Sequence, residues 1–314
     1  MLLRRRRNGL ESRRKLQTSL PSPACRFIPR SKLFHSRSST LKFAICNETY
    51  QDWPLEKTFE HAREVGYTGI EFAPFTLGTD AMDVSESRRV EIRELLEKYQ
   101  LESIGLHWLL AKTEGYYLTS PEAAVRERTS EYMRELARLC RDLNGSVMVL
   151  GSPLQRNLLP NVTLDQAMDY AAEVIRAALP ALEDHQVTLA LEPLGPAEGD
   201  FMLTAESGIQ LAQMIDSPQV RLHLDVKAMS SEEKPIPNII KDSREHLAHF
   251  HANDPNKRGP GMGDVDFVPI FQTLQEINYD GWVSVEVFDY EPGIEALTRD
   301  SLSYMQKCLK QLND

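Results

Sequence analysis

Four apolar runs in the second half of the chain, VTLALE, VRLHLD, LAHFHA and WVSVEV, carry at their last or next-to-last position Glu192, Asp225, His251 and Glu286. Three carboxylates and one imidazole form a mixed oxygen and nitrogen donor set of the kind that binds Mn2+, Mg2+ or Co2+. Zn2+ fits less well, because no cysteine joins the set. Any one of these acids, taken alone, reads as a helix cap or the partner of a lysine. Taken together they read as a divalent-metal site, since carboxylates inside runs as apolar as LALEP and VSVEV need a partner to offset desolvation.

A shared site requires elements that bring the four together. Short β-branched runs alternate with longer helical ones from residue 43 onward. The strand candidates are KFAIC (42–46), TGIEFA (68–73), LESIGLH (101–107), SVMVLG (146–151), VTLALE (187–192), VRLHLD (220–225), LAHFHA (247–252) and WVSVEV (282–287). Between them lie LEKTFEHAREV, ESRRVEIRELLEKY, EAAVRERTSEYMRELARLCRDL and LDQAMDYAAEVIRAAL, each with apolar residues at helical spacing. Ser120-Pro121 reads as an N-cap with proline at the first helical position, and Thr163 with Gln166 as a capping box. Eight such units over residues 43–314 predict a single-domain (β/α)8 TIM barrel, with an open doubly wound sheet as the alternative. In a barrel the four candidates, one βα unit apart, face one another across the mouth formed by the strands' C-terminal ends.

Residues 1–42 are a different kind of chain: twelve Lys or Arg stand against one acid, Glu11, whereas the remainder holds 24 basic and 45 acidic residues. The segment is too poor in apolar residues to offset its ordering entropy and is expected to be a disordered basic extension. It reads as an organellar transit peptide, a basic tail for an anionic partner, or translation from an upstream start codon. The strongly acidic body argues against nucleic acid as a partner and for a small molecule. No run of eighteen apolar residues suggests a membrane span. Four scattered cysteines without disulfide-like spacing fit a reducing compartment, cytoplasmic, or organellar if the extension is a transit peptide. Composition leaves a homo-oligomer open.

The motifs LALEP, HLD, HFHAND with the following NKRGPGMGDVDF, and GWVSVEVF resemble the sugar isomerase/epimerase superfamily with a xylose-isomerase-like barrel, close in pattern to ketose 3-epimerases and hydroxypyruvate isomerases. The similarity extends over about residues 43–312. It implies that Glu192, Asp225, His251 and Glu286 hold one divalent metal, with Glu192 and Glu286 also acting as acid and base on opposite faces of the substrate. Removing a proton beside a ketone generates an enediolate, which calls for a Lewis acid at the oxygens and a base at the C–H. The same groups serve epimerisation, isomerisation or, with loss of hydroxide, an inosose-type dehydration. A non-catalytic sugar-binding barrel is the reading outside enzymology.

Two positions depart from the family pattern. The histidine expected three residues after the strand-6 aspartate is Ala228, with Lys227 as a substitute donor; the arginine expected six residues after the strand-7 histidine is Lys257, with Arg258 next to it. Both changes point to altered specificity. Ala228 and the acidic body also count against an abasic-DNA endonuclease, which needs more histidines and a basic groove. Glu71, His107 and Trp108 at the ends of strands 2 and 3 are further substrate-binding candidates, with Glu48 after strand 1; a core role for His107 is the alternative. Gly151-Ser152 reads either as a source of backbone N–H groups or as a tight turn. Strand alternation puts His249 on the same face as His251 but one layer deeper, in a supporting or core role. The glycines of GMGDVD are expected to form a mobile loop over the mouth, with Asp266 capping the next helix.

Overall fold

The computed structural model describes residues 41–313. Eight parallel strands close into a barrel in chain order: β1 (Lys42–Cys46), β2 (Gly69–Phe72), β3 (Glu102–Leu106), β4 (Val147–Leu150), β5 (Thr188–Leu191), β6 (Val220–Asp225), β7 (Leu247–Ala252) and β8 (Trp282–Val285). β8 pairs with β1, with Lys42 opposite Trp282, so the sheet has no free edge. The helices are α1 (Leu55–Val65), α2 (Glu86–Tyr99), α3 (Ala123–Asp142), α4 (Leu164–His185), α5 (Ala205–Ile215), α6 (Val226–Met229), α7 (Ile236–Asp242), α8 (Val268–Glu276) and α9 (Ser301–Asn313). The predicted TIM barrel is therefore the observed fold. The basic extension assigned to residues 1–42 lies outside the described residues except for Leu41 and Lys42; Leu41 is buried and Lys42 opens β1.

The helices form where apolar residues recur at helical spacing. In α1, Leu55, Phe59 and Ala62 are buried against the sheet, and Gly66 in the left-handed conformation ends the helix. Thr163 and Gln166 make the expected reciprocal capping box at the start of α4. That helix continues through Pro180 to His185, past the sequence-based end at residue 179, because Ala178 and Leu182 keep its buried stripe intact across the proline. Ser120 does not cap α3. Its hydroxyl accepts from the Glu122 N–H, a turn that precedes a helix whose N-cap is Glu122. Asp266 likewise accepts from the Val268 N–H one residue outside the cap position, which Phe267 occupies.

Among the described residues no helix is long and apolar enough to cross a membrane. Cys46, Cys140 and Cys308 are buried and unpaired with one another.

Candidate metal and catalytic site

Strand ends supply the site. Asp225 is the last residue of β6, His251 the fifth of β7, and Glu192 and Glu286 each follow directly on β5 and β8. Register places Asp225 opposite His251. Donor atoms of Glu192, Asp225 and His251, together with His223, all lie within 4.8 Å of one another. Glu286 joins them through His251, whose Nδ1 is 3.0 Å from Glu286 Oε2. All five residues are buried.

Each member is held from behind. Asp225 accepts from the Ala228 N–H at 2.8 Å and from the Asn253 side-chain amide at 2.5 Å, and Asn253 in turn accepts from the Lys227 N–H. His251 Nε2 lies 3.2 Å from both oxygens of Glu71, which fixes the ring so that Nδ1 points toward Glu286. His249 Nε2 binds the same carboxylate at 2.8 Å. Arg156, fully buried, donates to the main-chain oxygens of Glu192 at 2.6 Å and Leu150 at 3.2 Å, pinning the end of β5. Gly151 leaves the space that the Glu192 carboxylate fills: a Cβ there would stand 1.5 Å from Glu192 Oε2.

Electrostatics divide the carboxylates. Burial, then the charges of Glu286 and Asp225, push the Glu192 carboxyl well above the usual range. Burial also raises Asp225, against the opposing pull of Lys227. Glu286 goes the other way, because His251 and His107 outweigh its burial and hold it ionised. Glu71 is likewise held well below the usual range, its burial overcome by His249 and His251. His251 is raised well above an ordinary imidazole; Glu71 and Glu286 overcome its desolvation.

Burial is the main reason Glu192 and Asp225 resist ionisation, with neighbouring carboxylates adding to it. Polar atoms without a hydrogen-bond partner collect here as well: both ring nitrogens of His223, both of His107, and Glu286 Oε1. Buried carboxylates that resist ionisation beside orphaned imidazole nitrogens are what a divalent cation would satisfy, so the residues fit a divalent metal.

The other sequence candidates separate into those at the mouth and those beneath or beside it. Trp108, with φ at 51°, stacks on Phe288 at 5.6 Å and 20° across the mouth. His107 is buried under it, its Nε2 2.8 Å from Glu48 and its Nδ1 3.4 Å from Glu286, both out of hydrogen-bonding alignment. Lys227 pairs with Glu198 and lies 4.8 Å over the Phe288 ring, at the mouth's edge.

Three further candidates, Glu71, Lys257 and Arg258, are placed by contacts of their own. Glu71, 1% exposed, has both oxygens committed to His249 and His251 below the mouth, because a side chain in mid-strand points into the barrel layer beneath the strand ends. Arg258 is tied by Asp289 and Glu291, both at 2.9 Å, and Lys257 is exposed, its carbonyl accepting from the Phe288 and Asp289 N–H groups.

The GMGDVD segment is held down rather than free over the mouth. Asp254 accepts from the N–H groups of Gly261 and Val265, and Gly261, at φ 83°, packs against the Tyr304 ring of α9. Ser152 accepts from the Leu110 N–H, the turn-like role for Gly151-Ser152.

His223, Arg156 and Asn253 were not singled out from sequence. The alternation that pairs His249 with His251 places His223 on the Asp225 face of β6, so HLD carried that signal; Arg156 lies in an irregular loop and carried none.

A closed eight-stranded barrel with acids and imidazoles at its C-terminal mouth defines a class, and the comparisons give it a family. The xylose isomerase-like TIM barrel family matches residues 59–308, and the chain belongs to it. It is 26% identical over 277 residues to a protein from Synechocystis named a probable ketose 3-epimerase, covering 80% of this chain and 90% of that one. It is 28% identical over 255 residues to the L-ribulose 3-epimerase of Mesorhizobium japonicum, covering 78% and 79%. Among solved structures, the 3-keto-D-glucoside 4-epimerase of E. coli superposes with a TM-score of 0.75 at 19% identity, covering 86% of this chain and all of that one, a likeness of fold.

Proposed function

We propose that this protein is a divalent-metal-dependent epimerase of a ketose, moving the proton at the carbon beside the carbonyl through an enediolate. The observation that carries the reading is the convergence of two buried carboxylates, Glu192 and Glu286, on one mouth around Asp225 and His251. The names of the relatives support the same class, including the D-psicose 3-epimerase of Ruminiclostridium cellulolyticum.

Glu192, Asp225, His251 and Glu286 would hold the ion, and the ion, when bound, supplies Lewis-acid polarisation of the substrate oxygens. Glu286, ionised beside His251, removes the proton from one face of the sugar carbon. Glu192, which has to hold a proton for this step, returns it to the other face. The reverse epimerisation exchanges their roles. Glu71 holds His251 by its Nε2, Asn253 and the Ala228 N–H aim Asp225, and Arg156 fixes the backbone of Glu192. The Trp108 and Phe288 rings give an apolar face to sugar C–H groups and limit water around the enediolate.

The test is incubation with Mn2+ in D2O against a panel of ketoses, hydroxypyruvate and inosose, followed by NMR. Deuterium incorporated beside the carbonyl of a ketose, with appearance of its epimer, is the expected result. Loss of water from inosose would move the assignment to a dehydratase, and no incorporation into any of them with metal bound would overturn enolisation.

A further inference from the structure

Trp108 divides the mouth into two chambers. One, of about 260 Å3, is lined by Glu192, Gly151, Glu198 and Phe288 and receives the catalytic carboxylate. The other, of about 650 Å3, is lined by the rings of Trp53, Phe75, Trp108 and Tyr290 together with Gln51 and Asp52, and has Glu48 in its wall. Trp108 and Lys112 line both. A pocket of roughly 300 Å3 is at the small end of ligand sites, whereas the larger chamber is of a size that takes a ligand of two rings or more. A free monosaccharide turned over beside Glu192 leaves the larger chamber unexplained.

We propose that the substrate is a ketose carrying a glycosyl group: the ketose sits beside Glu192 and the glycosyl ring occupies the larger chamber beyond Trp108. This rests on the epimerase reading for the chemistry of the reacting part, and on the chamber's own lining for the class of the substituent. Aromatic faces pack against the C–H face of a sugar ring, while the Gln51 amide and the Asp52 carboxylate suit its hydroxyls. A phosphate or carboxylate substituent is disfavoured. Among the described residues the one cation in the lining is Lys112, which stands 4.0 Å over the Phe75 ring and shares the chamber with two acids, Glu48 and Asp52. Trp108 itself holds a left-handed backbone conformation, which a bulky side chain adopts at a cost, and that conformation sets its ring between the chambers.

The experiment compares D-fructose with its 4-, 5- and 6-O-glucosyl derivatives on the Mn2+-loaded protein. Deuterium exchange beside the carbonyl gives kcat/KM, and quenching of tryptophan fluorescence gives affinity in parallel. At least one glucosyl ketose is expected to exceed fructose by about tenfold or more in both measures. Asp52→Trp, which fills the chamber from an exposed position, is expected to collapse that ratio, as is Trp53→Leu. Equal handling of fructose and all its glucosyl derivatives would overturn the proposal, as would an unchanged ratio in Asp52→Trp. Should no sugar exchange its proton, the epimerase reading fails, and the affinities alone decide the chamber: a preference for the glucosyl ketose supports it and equal binding refutes it.

Discussion

Gly151→Ala separates positioning of Glu192 from stability of the barrel. The new methyl carbon would fall 1.5 Å from Glu192 Oε2 and 2.6 Å from its Cδ, whereas ordinary contact begins at 3.4 Å. The backbone of Gly151 is not left-handed, so alanine brings no conformational strain. The clash is with the far end of a side chain, and Glu192 relieves it by rotating away, a displacement of about 2 Å. A misplacement of about 1 Å in a reacting group costs about 100-fold, so kcat/KM for deuterium exchange should fall by at least that factor. Metal affinity, read by calorimetric titration with Mn2+, should weaken by about 10-fold or more. The melting temperature of the metal-free protein should stay within about 3 °C, corresponding to roughly 1 kcal/mol or less. Exchange at the wild-type rate with undiminished metal affinity would refute the placement of Glu192 in the site.

Glu71→Gln breaks the buried ion pair with His251 and weakens the contact with His249, and should destabilise the metal-free protein by about 3–5 kcal/mol in chemical denaturation. The pH dependence follows from the opposite shifts of the pair. Glu71, depressed, contributes stability that is present above the ordinary carboxylate value of 4.5 and lost as pH falls toward its folded value. His251, raised, contributes stability that is present below the ordinary imidazole value of 6.5 and lost as pH rises through its folded value. Wild-type stability from this pair is therefore fullest between those two values, and Glu71→Gln should flatten the maximum. Arg156→Met removes two buried hydrogen bonds to main-chain oxygens and should cost about 3 kcal/mol, with weakened Mn2+ binding on titration. Chelation by EDTA should abolish deuterium exchange, and Mn2+ or Co2+ should restore it.

The barrel was legible in the sequence because its strands are short apolar runs and α1 to α4 keep a helical period between them. Even the ends of α1 and α2 follow from apolar spacing. The four ligand candidates were legible for a related reason: a charged side chain at the end of a buried strand needs company. Less legible was depth. Glu71 and Glu192 both read as acids at strand ends, yet one lies below the mouth and the other lines it, since barrel tilt and the shift in register between β2 and β3 change which residue reaches the rim. The pairing of Arg258 with Asp289 and Glu291 was not legible, because both partners lie more than 30 residues away in the chain. The loop with GMGDVD suggested mobility through its glycines, but those glycines are there to let the chain approach Asp254 and Tyr304.

The most direct test of the two-carboxylate mechanism follows each epimer of a substrate pair separately in D2O with Glu192→Gln and Glu286→Gln. Each variant should bind Mn2+, form no epimer, and still wash out the proton from one member of the pair, with the other member exchanging only in the opposite variant. If both epimers exchange in both variants, or if either variant still interconverts them, proton transfer does not pass through these two glutamates.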